Sequence, residues 1–135
     1  PTILSAAGAP IPDGLPGLDL LPVAREGRPL GRNEVFGEGF AHDIADLEDP
    51  EASLLYRWVI EGRWKLLLTY DGQLGSRARF HPRTELRPQL YDLLADPHET
   101  NNVAGEHPEV VARLATKIAA WWPVTERKAK TRWAD

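Results

Sequence analysis

The sequence predicts an α+β fold: a small antiparallel sheet of about four strands packed against a C-terminal helix, with an irregular segment before it. Three observations predict it. Residues 54–60 and 63–70 are β-prone runs separated by Glu61-Gly62, the signature of a tight hairpin. Residues 108–122 carry apolar side chains at helical spacing. Residues 8–31 hold five Pro and five Gly and no sustained period of either kind.

Taken in order, Pro1 to Ala7 reads as the end of a helix stopped by Gly8. The opening has no capping residue, and the chain contains no Met, so it reads as part of a longer protein. The apolar residues of the Gly8–Gly31 segment (Ile11, Leu15, Leu18, Leu20, Leu21 and Val23) call for a packing partner. Asn33 to Phe40 is a strand weakened by Gly37 and Gly39. The acidic stretch from Asp43 to Glu51 is a loop or short helical turn.

In the hairpin, a turn at Glu61-Gly62 sets Val59 opposite Trp64 and Trp58 opposite Lys65. One face then carries Leu55, Arg57, Val59, Trp64, Leu66, Leu68 and Tyr70, and is the better core face. The other carries Tyr56, Trp58, Ile60, Arg63, Lys65 and Leu67, with Trp58 and Lys65 placed for a cation–π pair. Asp71 to Arg87 is a charged loop, and Gln89 to Leu93 a further strand. Pro108 suits a first helical position and Glu109 the positive end of the helix dipole. Val111, Leu114, Ala115, Ile118, Trp121 and Trp122 form the stripe expected to be core, and Pro123 stops the helix. The organisation expected is 1–31 as a helix end plus connecting segment, 32–124 as the α+β subdomain and 125–135 as a charged tail.

Composition narrows the function. Hydrophobic residues at 42% and charged residues at 27% fit a soluble globular protein. A net charge of -4 argues against a nucleic-acid partner. The absence of Cys removes disulfides, thiolate metal sites and a Cys nucleophile from this stretch. No apolar run approaches the roughly 20 residues of a membrane helix, and no secretory signal opens the chain, which leaves the compartment open.

The run Leu90-Tyr91-Asp92-Leu93, followed by Asp96-Pro97-His98-Glu99-Thr100-Asn101-Asn102-Val103-Ala104, resembles the E-L-Y-D-L-x-x-D-P-x-E-x-x-N-L-A signature near the C-terminus of type I sulfatases. The opening Pro1-Thr2-Ile3-Leu4 and the Leu20-Leu21-Pro22 stretch are similar to the segment leading out of the core domain in that family. The resemblance implies a small four-stranded sheet plus helix docked on a larger α/β core. It also implies a parent of the alkaline-phosphatase-like superfamily that hydrolyses sulfate esters with a formylglycine nucleophile and a calcium-type metal. None of the three serines (Ser5, Ser53, Ser76) sits in the C/S-x-P-x-R motif that becomes formylglycine. The nucleophile and metal are therefore expected in an N-terminal catalytic domain outside this stretch. No catalytic residue, metal ligand or cofactor is expected within it.

Four residues are candidates for contact with a sulfated small molecule or glycan in such a parent. His42 lies in an acidic cluster with Asp43, Asp46, Glu48 and Asp49, and would sit at the rim of the parent's active site. Arg77, Arg79 and His81, with Arg83 beside them, offer donors that match sulfate oxygens. The competing readings are a solvated acidic loop, or less readily a calcium site that lacks EF-hand spacing, and a solvated basic loop. Asp96, His98, Glu99 and Asn101 are read as turn builders. Other functions stay open: a phosphonate or phosphodiester hydrolase of the same superfamily, a freestanding interaction module, or a small metal enzyme built on the His42 cluster.

Overall fold

The computed structural model describes residues 1–41, 46–70 and 87–124. Two compact units divide the chain, Pro1–Asn33 and Glu34–Asp135.

The first unit holds two short helices, α1 (Thr2–Ala6) and α2 (Leu21–Glu26). The end of α1 is a Schellman motif. Gly8 takes φ 68°, its N–H reaches Ser5 O at 3.1 Å, and Ala9 N–H reaches Leu4 O at 2.9 Å. Helix α2 departs from the expectation that residues 8–31 contain no regular element. Asp19 Oδ1 takes the Leu21 N–H at 2.9 Å, Pro22 lies in the first turn, and Gly27 closes the helix at φ 67°. Periodicity cannot reveal a helix of only six residues, closed at its end by a left-handed glycine. Thr2 Oγ1 ties the unit together, donating to Leu18 O and accepting from Leu20 N–H. None of residues 1–33 is fully buried.

The second unit is a four-stranded antiparallel sheet in the order β1-β2-β3-β4, with β1 Glu34–Phe40, β2 Leu54–Glu61, β3 Trp64–Thr69 and β4 Gln89–Asp92. Helix α3, Pro108–Trp121, covers one face. A short 3-10 turn, Pro50–Ser53, leads into β2. The α+β class expected from the sequence is the class observed.

The hairpin register differs from the expected one. Glu61 pairs with Trp64, Ile60 with Lys65 and Val59 with Leu66. The turn residues are therefore Gly62 and Arg63, and Gly62 sits at φ 57°. A glycine with positive φ at the first central position is the pattern of a II′ turn, whose twist matches the strands. The shift is two residues, so each side chain keeps its face. Val59, Leu66 and Leu90 meet Leu114 and Ile118 of α3 in a core closed to solvent. Full burial of each such side chain contributes about 1.5–3 kcal/mol. Trp64 is only half-buried, against the tilted ring of His107 at 4.8 Å. Leu67, Gln89 and Tyr91 are buried on the opposite face, so the sheet buries side chains on both sides.

Both strand glycines face aromatic rings. Gly37 pairs with Trp58 and Gly39 with Tyr56, and each ring occupies the space a β-carbon would need. Glycine thus shapes β1 rather than weakening it. Trp121 also departs from expectation. The stripe is expected to be core there, but Trp121 is 40% exposed, with its ring stacked on Phe36.

Candidate functional site

The signature stretch after β4 folds as a loop fastened by the side chains of Asp92, Asp96, Glu99 and Asn102. Arg63 grips Asp92 with two donors, Nε at 2.8 Å to Oδ1 and Nη2 to Oδ2. Asp92 Oδ1 also accepts the Leu94 N–H at 3.2 Å. Asp96 accepts the backbone N–H groups of Thr100 and Asn101 at 2.7 and 2.8 Å, and the Thr100 hydroxyl at 3.0 Å. Asn102 Oδ1 accepts from Leu90 N–H and Ala104 N–H, both at 3.0 Å, while its amide donates to Pro88 O at 3.2 Å. The Asp92 carboxyl is held below its ordinary pKa, chiefly by the Arg63 hydrogen bond. The Asp96 carboxyl is held low as well, first by the Asn101 N–H and then by Thr100.

Glu99 completes the fastening. It is the non-glycine residue with positive φ among the described residues, at 55°. That conformation disfavours an L side chain by roughly 1–2 kcal/mol. Its carboxylate meets Lys65 Nζ at 2.8 and 3.1 Å, with both side chains largely shielded from water. Lys65 Nζ also lies 5.4 Å from the centre of the Trp58 ring. The cation–π contact expected from the sequence is present, but as a diagonal pair, because the register moved. Asp96, His98, Glu99 and Asn101 therefore build the loop, with His98 and Asn101 exposed.

His42, Arg77, Arg79 and His81 all lie outside the described residues, as do Asp43 and Arg83. Of the acidic cluster, Asp46 accepts the Glu48 N–H at 3.0 Å in a local turn. No group of three or more His, Asp or Glu converges in a metal-holding arrangement among the described residues. The carboxylates of Asp92 and Asp96 are already saturated by N–H donors. The described donor set does not fit a divalent metal or a formylglycine site.

One residue carries an electrostatic role that the pattern did not reveal. Arg57, read only as a member of the core face, is 3% exposed. Its Nη1 donates to Ile118 O at 3.4 Å, its guanidinium carbon lies 4.9 Å from the Tyr70 ring centre, and its Nε has no hydrogen-bond partner among the described residues. Burial lowers its pKa, partly offset by the field of Glu51. A cation at the end of α3 also complements the helix dipole. Concavities among the described residues include a groove of about 650 Å³ between Arg87, Asn102 and the start of α3, and one of about 340 Å³ beside Phe40 and Pro50.

No family model matches the chain. Its sequence is similar to dog arylsulfatase K, 30% identical over 134 residues, covering 87% of the chain and 20% of that protein. It is also similar to an N-acetylgalactosamine-6-O-sulfatase of Bacteroides thetaiotaomicron, 41% identical over 58 residues, covering 42% of the chain and 11% of that protein. Among solved structures, the Agrobacterium radiobacter phosphonate monoester hydrolase matches with TM-score 0.61 and 28% identity, over 89% of the chain and 23% of its own. The chain thus spans about a fifth of the length of the curated arylsulfatases it matches. It is a relative of the sulfatases of the alkaline-phosphatase-like fold, and its sheet and helix are consistent with the C-terminal subdomain of that family.

Proposed function

We propose that this chain is the C-terminal subdomain of a sulfate-ester hydrolase. The observation that carries this reading is the match to arylsulfatase K, which runs through most of the chain yet spans a fifth of that protein. On this reading the formylglycine, its calcium-type metal and the family's catalytic residues reside in an N-terminal catalytic domain that this stretch does not contain. Residues 1–31 connect to that domain, 32–124 complete the fold, and 125–135 form a charged tail. The lack of a C/S-x-P-x-R motif supports an isolated chain that turns over no sulfate ester. His42, Arg77, Arg79 and His81 are assigned to the wall of the substrate pocket, where cationic donors would meet a sulfated small molecule or glycan.

A second reading is a phosphonate ester hydrolase, favoured by the likeness to the Agrobacterium enzyme. Rates of the longer gene product on an aryl sulfate and on an aryl phosphonate monoester separate the two. The proposal expects the sulfate to be the better substrate. A clear preference for the phosphonate would replace it with the second reading.

A further inference from the structure

Helix α3 ends over a buried polar cluster. Arg57, on the interior strand β2, is 3% exposed. Its Nη1 reaches Ile118 O, the carbonyl that also accepts the Trp122 N–H at 3.0 Å. The last turn of α3 holds no basic residue of its own. Arg57 therefore supplies, from the sheet, the cation that a helix C-terminus favours. Glu51, in the turn before β2, faces the same cluster. Its Oε1 accepts the Trp122 indole N–H at 3.1 Å, and its charge offsets the burial of Arg57. Trp122 is thus held by both its backbone and its ring, beside Trp121 stacked on Phe36 at 5.1 Å.

The cluster is a poor source of stability. A guanidinium carries several N–H donors, yet among the described residues Arg57 has one hydrogen bond, at a long 3.4 Å, and an orphaned Nε. Replacing such a buried cation by an apolar side chain is often neutral or stabilising. Apolar burial is also non-directional. The stripe Val111, Leu114, Ala115 and Ile118 holds α3 on the sheet without fixing where along it the helix stops. A buried charge with one carbonyl to meet does fix it. We propose that Arg57 and Glu51 form a conformational lock, which sets the position of α3 on the sheet without adding to the stability of the fold. Fixing register is the best-attested use of a buried polar group.

Arg57→Met tests the lock, since it removes the charge and keeps an unbranched side chain. Its urea midpoint should equal or exceed that of the unsubstituted chain. Exchange of the Trp122 indole N–H should speed up several-fold, while the Leu114 amide stays as protected as before. A midpoint that falls, or a variant that does not fold, would overturn the proposal, because Arg57 would then be an ordinary stabilising contact. Unchanged exchange at Trp122 would overturn it too, because α3 would end in the same place without the charge. Glu51→Gln gives an independent reading. Glutamine still accepts the indole N–H but no longer offsets the cation. That change should lower the midpoint of the unsubstituted chain and leave the midpoint of Arg57→Met unmoved. Equal losses in both backgrounds would show that the two groups are uncoupled, which also overturns the lock.

Discussion

The indole of Trp58 lies across Gly37 on the neighbouring strand, so near that a β-carbon at residue 37 would sit 2.2 Å from Trp58 Cζ2. No real contact is that short, so any side chain at 37 must displace a ring on the central strand β2. Gly37→Ala is expected to destabilise the fold by about 1–3 kcal/mol, as overpacking does. Urea unfolding measures it. In a Trp58→Ala background the same change should cost clearly less, because the clash has been removed. Equal costs in both backgrounds would contradict the contact.

Glu99 poses the opposite balance, a strained backbone held by a charge pair. Glu99→Ala keeps the left-handed backbone and strands Lys65, so it is expected to cost about 1.5–3 kcal/mol. Glu99→Gly loses the same pair but relieves the φ of 55°. Glycine should therefore be the milder substitution, the reverse of the order at an ordinary site. Thermal or urea denaturation of the two variants gives the ranking.

Acid should weaken the fastening loop. Asp92 and Asp96 both have folded pKa values below the ordinary one. A depressed carboxylate stabilises the folded state above its unfolded pKa, about 3.9, and that contribution drains away as pH falls toward the lower folded value. Urea midpoints should thus hold steady near neutrality and drop below about pH 4. Asp96→Asn should flatten part of that drop. An unchanged acid limb in Asp96→Asn would show that the carboxylate plays no part.

The fold and its faces were legible because alternation and helical spacing report burial directly. The hairpin shows the limit. A slip of two residues leaves every face unchanged, so patterning could not choose between Glu61-Gly62 and Gly62-Arg63 as the turn; the II′ geometry of Gly62 decides it. Helix α2 is not legible because six residues hold too little periodicity and Gly27 alone marks its end. The turn-building role of Asp96 followed from turn chemistry, while the clasps of Asp92 on Arg63 and of Asn102 on Leu90, and the Lys65–Glu99 pair across 34 positions, depend on tertiary contacts that spacing does not encode. The pocket residues assigned from the sequence fall on segments outside the described residues, so they remain proposals.

The first unit should be the least protected part of the chain. Ile3 is 84% exposed, and Ile11, Leu15, Leu18 and Leu20 are exposed too. With no fully buried side chain in residues 1–33, little apolar packing protects its amides. Hydrogen exchange of the isolated chain should be fast through residues 8–31 and slow in β2, β3 and α3. Protection as strong in 8–31 as in the sheet would mark an autonomous module instead.

The most direct measurement of the central claim is turnover of an aryl sulfate by the isolated 135-residue chain beside the longer gene product, each with added calcium. The account predicts hydrolysis by the longer protein and none by the chain, at any concentration and through successive purification steps. Sulfate release that follows the purified chain itself would contradict it, since the chemistry would then lie within these residues.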